Sequence, residues 1–309
     1  LLLASLTLAG CDSLTKKTAE PAATEGDASL VDARKGFQTK LRPSAVDRTA
    51  PTQPPKGVFQ LVQYDAPVGK LSAYLTPDKK DGKKRPAIIW ITGGDCNSID
   101  EGCWKDGPAN NDQSAGAYRK AGIVMMFPSL RGGNNNPGKK ECFLGEVDDI
   151  LAAADYLAKQ PHVDPARIYL GGHSTGGTQV LLVSECSDRF RAVFSFGPAH
   201  DVSGYPAEYI SFDTSNPREI RLRSPGYWLS QIKSPTFVLE GGVQGNIDSL
   251  NTMAKASTNA NVHFLGVKKA THFSILAPVN KLIAGKILED TGDACNISIT
   301  EEEVNKLFK

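Results

Sequence analysis

The sequence predicts an α/β fold: a mostly parallel, eight-stranded sheet flanked by helices on both faces. Short apolar runs such as Ala87-Ile88-Ile89-Trp90-Ile91 and Ile123-Val124-Met125-Met126-Phe127 have the continuous hydrophobicity of strands covered on both sides. Between them lie segments with helical spacing. The clearest is 145–160, where Val147, Ile150, Leu151, Ala154 and Leu157 fall on one stripe. A composition of 40% hydrophobic and 22% charged residues over 309 positions suits a single sizeable core.

In chain order, residues 58–62 and 70–75 read as a hairpin of half-buried strands around Pro67-Val68-Gly69. Strands follow at 87–91 and 123–127, then the helix at 145–160. Next come a strand at 167–171, a helix from 175 onward, and strands at 192–196, 236–239 and 262–267. Residues 275–288 read as the last long helix. Segment 198–233 carries Tyr205, Tyr209, Phe212, Tyr227 and Trp228, and is long for a connection. Two readings stay open for it: a small lid, or a surface excursion whose aromatics pack on the core.

The front of the chain differs in kind. Leu1-Leu2-Leu3-Ala4-Ser5-Leu6-Thr7-Leu8-Ala9-Gly10-Cys11 reads as the tail of a signal peptide. Leu8-Ala9-Gly10-Cys11 resembles the bacterial lipoprotein box. That resemblance implies acylation of Cys11, a lipid anchor to a membrane and a place in the cell envelope facing the periplasm or exterior. Residues 12–56 are polar and carry Pro51, Pro54 and Pro55, as a flexible tether would, leaving 57–309 as the folded domain. Five cysteines follow Cys11. Cys96 and Cys103 flank one loop and are close enough in sequence to pair; Cys186 reads as a buried thiol.

A net charge of +1 argues against a general attraction to nucleic acid. The histidines are scattered and form no ligand-spaced pair, so no metal and no cofactor is expected.

Chemistry enters at Gly172-His173-Ser174-Thr175-Gly176, which fits G-x-S-x-G between an apolar strand and a helix. Such a turn exposes the serine at the carboxyl end of a sheet, above a helix N-terminus with unpaired N–H groups. Ser174 is therefore the expected nucleophile. A hydroxyl needs a base. His272 stands in a loop after the last strand, on the serine's edge of the sheet; His200 is its only rival. Oxyanion donors are expected from the N–H of Thr175 and from the loop Thr92-Gly93-Gly94-Asp95, with Gly94 favoured and Asp95 the alternative.

These residues together resemble the α/β-hydrolase superfamily, in particular the catalytic domain of the prolyl oligopeptidase family and dienelactone-hydrolase-like esterases. The resemblance spans roughly residues 57–290. Thr92-Gly93-Gly94 stands where the family has His-Gly-Gly. Pro128-Ser129-Leu130-Arg131-Gly132-Gly133, Gly145-Glu146-Val147-Asp148-Asp149, the serine turn and His272 complete it. It implies a serine hydrolase working through an acyl-enzyme on a small-molecule or short-peptide acyl substrate. The chain departs from the family at the acid. Gln244 occupies the aspartate's slot in Gly241-Gly242-Val243-Gln244-Gly245-Asn246-Ile247. Asp248 is the first substitute, then Glu240, which ends a strand, then Asp201. Three functions stay open: an esterase, favoured because only the short segment 12–56 precedes the fold; a peptidase of the prolyl oligopeptidase type; and a hydrolase fold kept for binding, with impaired chemistry.

Overall fold

The computed structural model describes residues 29–43 and 47–308, so Cys11 and the signal-like stretch lie outside the described residues. The strands are β1 (Gln60–Ala66), β2 (Gly69–Leu75), β3 (Arg85–Ile91), β4 (Val124–Pro128), β5 (Val163–His173), β6 (Val193–Phe196), β7 (Thr236–Gly241) and β8 (Val262–Val267). They form one sheet in the order β1-β2-β4-β3-β5-β6-β7-β8. β1 and β2 make the expected hairpin, and β2 runs antiparallel to β4. From β4 to β8 every neighbouring pair is parallel. The helices are α1 (Leu30–Arg34), α2 (Ala117–Lys120), α3 (Glu146–Ala158), α4 (Thr175–Cys186), α5 (Pro217–Arg221), α6 (Ile247–Ala256), α7 (Leu276–Glu289) and α8 (Glu301–Lys306).

Alternation along β3 splits the core in two. Ala87, Ile89 and Ile91 face the layer that holds Val147, Ile150 and Leu157 of α3 and Val180 and Leu182 of α4. Ile88 and Trp90 face the opposite layer with Tyr118 of α2 and Val279, Ile283 and Ile287 of α7. A parallel sheet covered on both faces gathers the loops after its strands at one edge. The loops after β3, β5, β6, β7 and β8 all emerge there.

A buried ion pair ties together two of the motifs behind the family resemblance. Arg131 donates to both carboxylate oxygens of Asp149, Nε to Oδ2 at 2.9 Å and Nη2 to Oδ1 at 2.8 Å. Its remaining arm reaches Glu141 Oε1 at 2.7 Å. Asn97 bridges the Arg131 carbonyl at 2.8 Å and Glu146 Oε1 at 3.1 Å. The loop after β3 is thus braced against the start of α3. Removing one member would strand a buried charge.

Part of the expected tether is packed. Leu30 and Ala33 of α1 are fully buried, and Leu41 bridges Phe212. In segment 198–233, Phe212, Leu222, Trp228 and Ile232 are buried in the core, with Arg223 and Glu219 paired beneath them. The excursion reading therefore describes this segment better than a hinged lid. The suggested pairing of Cys96 with Cys103 is corrected: both are free buried thiols.

Candidate active site

β5 ends at His173 and α4 begins at Thr175, so the whole reversal rests on Ser174. Its φ of 57° and ψ of −115° lie where non-glycine residues are strained. Two backbone bonds hold it there: its N–H donates to the Phe196 carbonyl at 2.7 Å, and its carbonyl accepts from Thr178 N at 2.9 Å. Gly176 permits the turn's close seat. A Cβ there would sit 2.6 Å from the Thr92 carbonyl oxygen and nearer still to that of Ile91. The helix start is thus pressed against the end of β3.

Both segments expected to supply oxyanion donors meet at this point. The Thr175 hydroxyl donates to the Gly94 carbonyl at 2.9 Å. Thr175 occupies the first position of α4, where backbone N–H groups have no partner within the helix. Thr92, Gly93, Gly94, Asp95, His173 and Ser174 all line one cleft of about 600 Å³. Its other walls include Asp100, Asn111, Gln113 and Phe273; none of its lining residues comes from 198–233.

His272 lies in the loop after β8, with its side chain only 11% exposed. Its Nδ1 is 2.9 Å from Oε2 of Glu240, the penultimate residue of β7. Glu240 is fully buried, and its other oxygen accepts from Gly241 N–H at 2.8 Å. With Glu240 accepting from Nδ1–H, a neutral imidazole leaves Nε2 as the acceptor. The pair sits beside Gly197, the residue after the carbonyl that holds Ser174. A Cβ on Gly197 (φ 58°) would overlap Glu240 Oε2 and His272 Cε1. Serine turn, imidazole and carboxylate therefore converge where β5, β6, β7 and β8 end.

The carboxylate at His272 Nδ1 is that of Glu240, not of Asp248, which the sequence favoured. Asp248 is an exposed residue in the first turn of α6, where a carboxylate complements the helix dipole. Asp201 is committed elsewhere: Oδ1 accepts from Ser203 N at 2.8 Å and Oδ2 from the Tyr227 hydroxyl at 2.9 Å. Gln244 is exposed with φ 82°. His200, the rival base, meets Ser249 Oγ at 3.0 Å. No signal in the sequence placed Asn111 and Gln113 in the cleft, because they arrive on the long connection between β3 and α2. Among the described residues no group of three His, Cys, Asp or Glu side chains is gathered to hold a metal ion.

Residues 111–241 match the model of the prolyl oligopeptidase family. Prolyl oligopeptidase A of Galerina marginata is 35% identical over 81 residues, which is 23% of this chain and 10% of that protein. Acylaminoacyl peptidase of Pyrococcus horikoshii superposes with a TM-score of 0.60 at 16% identity, covering 81% of this chain and 45% of that one. A puromycin-hydrolyzing peptidase of Mycobacterium tuberculosis superposes with a TM-score of 0.59 at 19% identity, covering 75% and 39%. These likenesses are of fold. The chain spans about a tenth of the length of the first curated relatives it matches.

Proposed function

We propose that this chain, an α/β-hydrolase fold with a prolyl oligopeptidase family segment at 111–241, is a serine hydrolase that cleaves acyl bonds through a covalent acyl-enzyme. One observation carries the reading: a serine in a strained strand–helix turn shares the carboxyl edge of the sheet with an imidazole held by a buried carboxylate. In this reading Ser174 Oγ attacks the carbonyl carbon while His272 Nε2 takes its proton. Glu240 fixes the tautomer and stabilises the imidazolium that forms. The N–H of Thr175 and an N–H of the Gly94 loop hold the oxyanion. His272 then returns the proton to the leaving group, and water, deprotonated by the same imidazole, releases the acyl group.

Gln244 gave reason to consider a binding protein with impaired chemistry. The carboxylate of Glu240 at His272 Nδ1 removes that reason. The cleft's volume suits a small acyl substrate, ester or amide. The family match keeps a peptidase reading beside the esterase one. A panel of p-nitrophenyl esters and aminoacyl-p-nitroanilides separates them, and turnover of neither class by wild type would overturn the proposal. We also propose a lipid anchor at Cys11 in the cell envelope, supported by Leu8-Ala9-Gly10-Cys11 alone. Incorporation of labelled palmitate that is lost in Cys11→Ala tests it.

A further inference from the structure

Beside the proposed nucleophile lies a second imidazole whose contacts that chemistry does not use. His173 is 1% exposed. Its Nε2 lies 3.0 Å from the main-chain carbonyl of His272. Its ring packs against the His272 ring with centroids 4.5 Å apart, and Phe273 closes on it edge-first at 5.6 Å. On the other side, Nδ1 is 3.1 Å from the side-chain carbonyl oxygen Oε1 of Gln113. The backbone of Gly93 is so near that a Cβ there would stand 2.9 Å from the same Nδ1. One buried ring thus touches the serine turn, the oxyanion loop and the loop that carries the base.

We infer that His173 is a positioning residue that holds His272 in register with Ser174 through its Nε2–H bond to the His272 carbonyl. This rests on the reading of Ser174, His272 and Glu240 given above. The carbonyl can only accept, so Nε2 carries the proton and donates. A neutral ring then carries no proton at Nδ1 and donates nothing to Gln113 Oε1, whose amide nitrogen instead donates to Asn111 Oδ1 at 2.6 Å. Burial first, and the neighbouring His272 second, push the His173 pKa down to about 3. Neutrality matters for the chemistry. When His272 takes the serine proton, a charged ring packed against it would repel the imidazolium, whereas a neutral one does not. His272 is the titratable group packed against this ring, and its own Nδ1 meets Glu240 Oε2 at 2.9 Å. The position one before the serine also gives a direct mechanical link. Any shift of the serine turn carries the ring, and with it the carbonyl of the base. Without that donor the loop after β8 keeps its Glu240 contact but loses its tie to the turn.

The test compares His173→Phe, which removes the donor, with His173→Gln, whose amide can reach the same carbonyl. For p-nitrophenyl acetate, His173→Phe is expected to lower kcat about 10- to 100-fold with KM within about twofold. His173→Gln is expected to recover most of that loss. A second readout needs no turnover: the downfield proton resonance of His272 Nδ1–H, assigned by its disappearance in Glu240→Gln. It should shift or broaden in His173→Phe and return in His173→Gln. Wild-type kcat in His173→Phe, or a His272 resonance unchanged in that variant, overturns the inference. If turnover is the same in wild type and Ser174→Ala, the underlying reading fails instead, and the resonance still decides where His173 stands.

Discussion

Glu240 accepts a hydrogen bond from the His272 imidazole at 2.9 Å from the penultimate position of β7, earlier in the chain than the slot that Gln244 fills. The strand itself therefore delivers the carboxylate. Glu240→Gln should lower kcat by about 10²- to 10⁴-fold with little change in KM, because the imidazolium loses its counter-charge. Asp248→Asn, on the exposed first turn of α6, should leave turnover within about twofold of wild type. Steady-state kinetics on one p-nitrophenyl ester check both, and equal losses in the two variants would reject the assignment.

Gly197 is predicted to be as sensitive as a reacting residue. Its φ of 58° strains any side chain, and a Cβ would overlap both Glu240 Oε2 and His272 Cε1. Gly197→Ala should cost at least about 10²-fold in kcat, since the imidazole cannot keep its place. A fold retained by circular dichroism, together with wild-type turnover, would contradict this.

Acid should destabilise the protein through His173. Its pKa falls from an ordinary 6.5 to about 3 on folding, by burial first and by the adjacent His272 second. Between those values the unfolded chain binds the extra proton. The stabilisation is thus complete above pH 6.5 and is lost as pH falls toward 3, at no more than about 1.4 kcal/mol per pH unit. Urea melts of wild type and His173→Phe from pH 7 to 4 check it. The variant should show the shallower pH dependence, and parallel curves would count against a buried neutral imidazole.

Glu185 presents the opposite sign. It is 3% exposed on α4, and neither carboxylate oxygen has a hydrogen-bond partner. Burial raises its pKa well above the ordinary 4.5. The folded state then keeps a proton that the unfolded state releases, so stability is greatest below pH 4.5 and declines as pH rises. Glu185→Gln, which needs no proton to enter the core, should gain in melting temperature relative to wild type as pH goes from 5 to 8. A constant difference across that range would show that the carboxyl is not buried as a neutral acid.

The strands were legible because their signal is local. β3 and β4 are nearly continuous apolar runs, the second half of β5 is a shorter one, and the helical stripe of α3 follows from its spacing. Ser174 was legible for the same reason, since the turn, its glycines and its flanking elements are consecutive. The acid was not. Its identity depends on how the end of β7 meets the loop before α7, fixed by bonds such as Val243 N to the Ala270 carbonyl at 2.9 Å. Such contacts join residues far apart in sequence, and an aspartate near the expected slot drew attention past Glu240. Residues 30–42 read as tether because their composition is polar; two buried side chains, Leu30 and Ala33, suffice to seat α1. The contacts of His173 were not legible either, because no local pattern shows which loop its ring will touch.

Covalent capture of the nucleophile tests the central claim most directly. Wild-type protein treated with a fluorophosphonate, digested and mapped by mass spectrometry should carry one adduct, on the peptide that contains Ser174. Labelling should be absent in Ser174→Ala and slowed at least about 100-fold in His272→Ala. Undiminished labelling of Ser174→Ala, or an unlabelled wild type, would contradict acyl transfer through this serine.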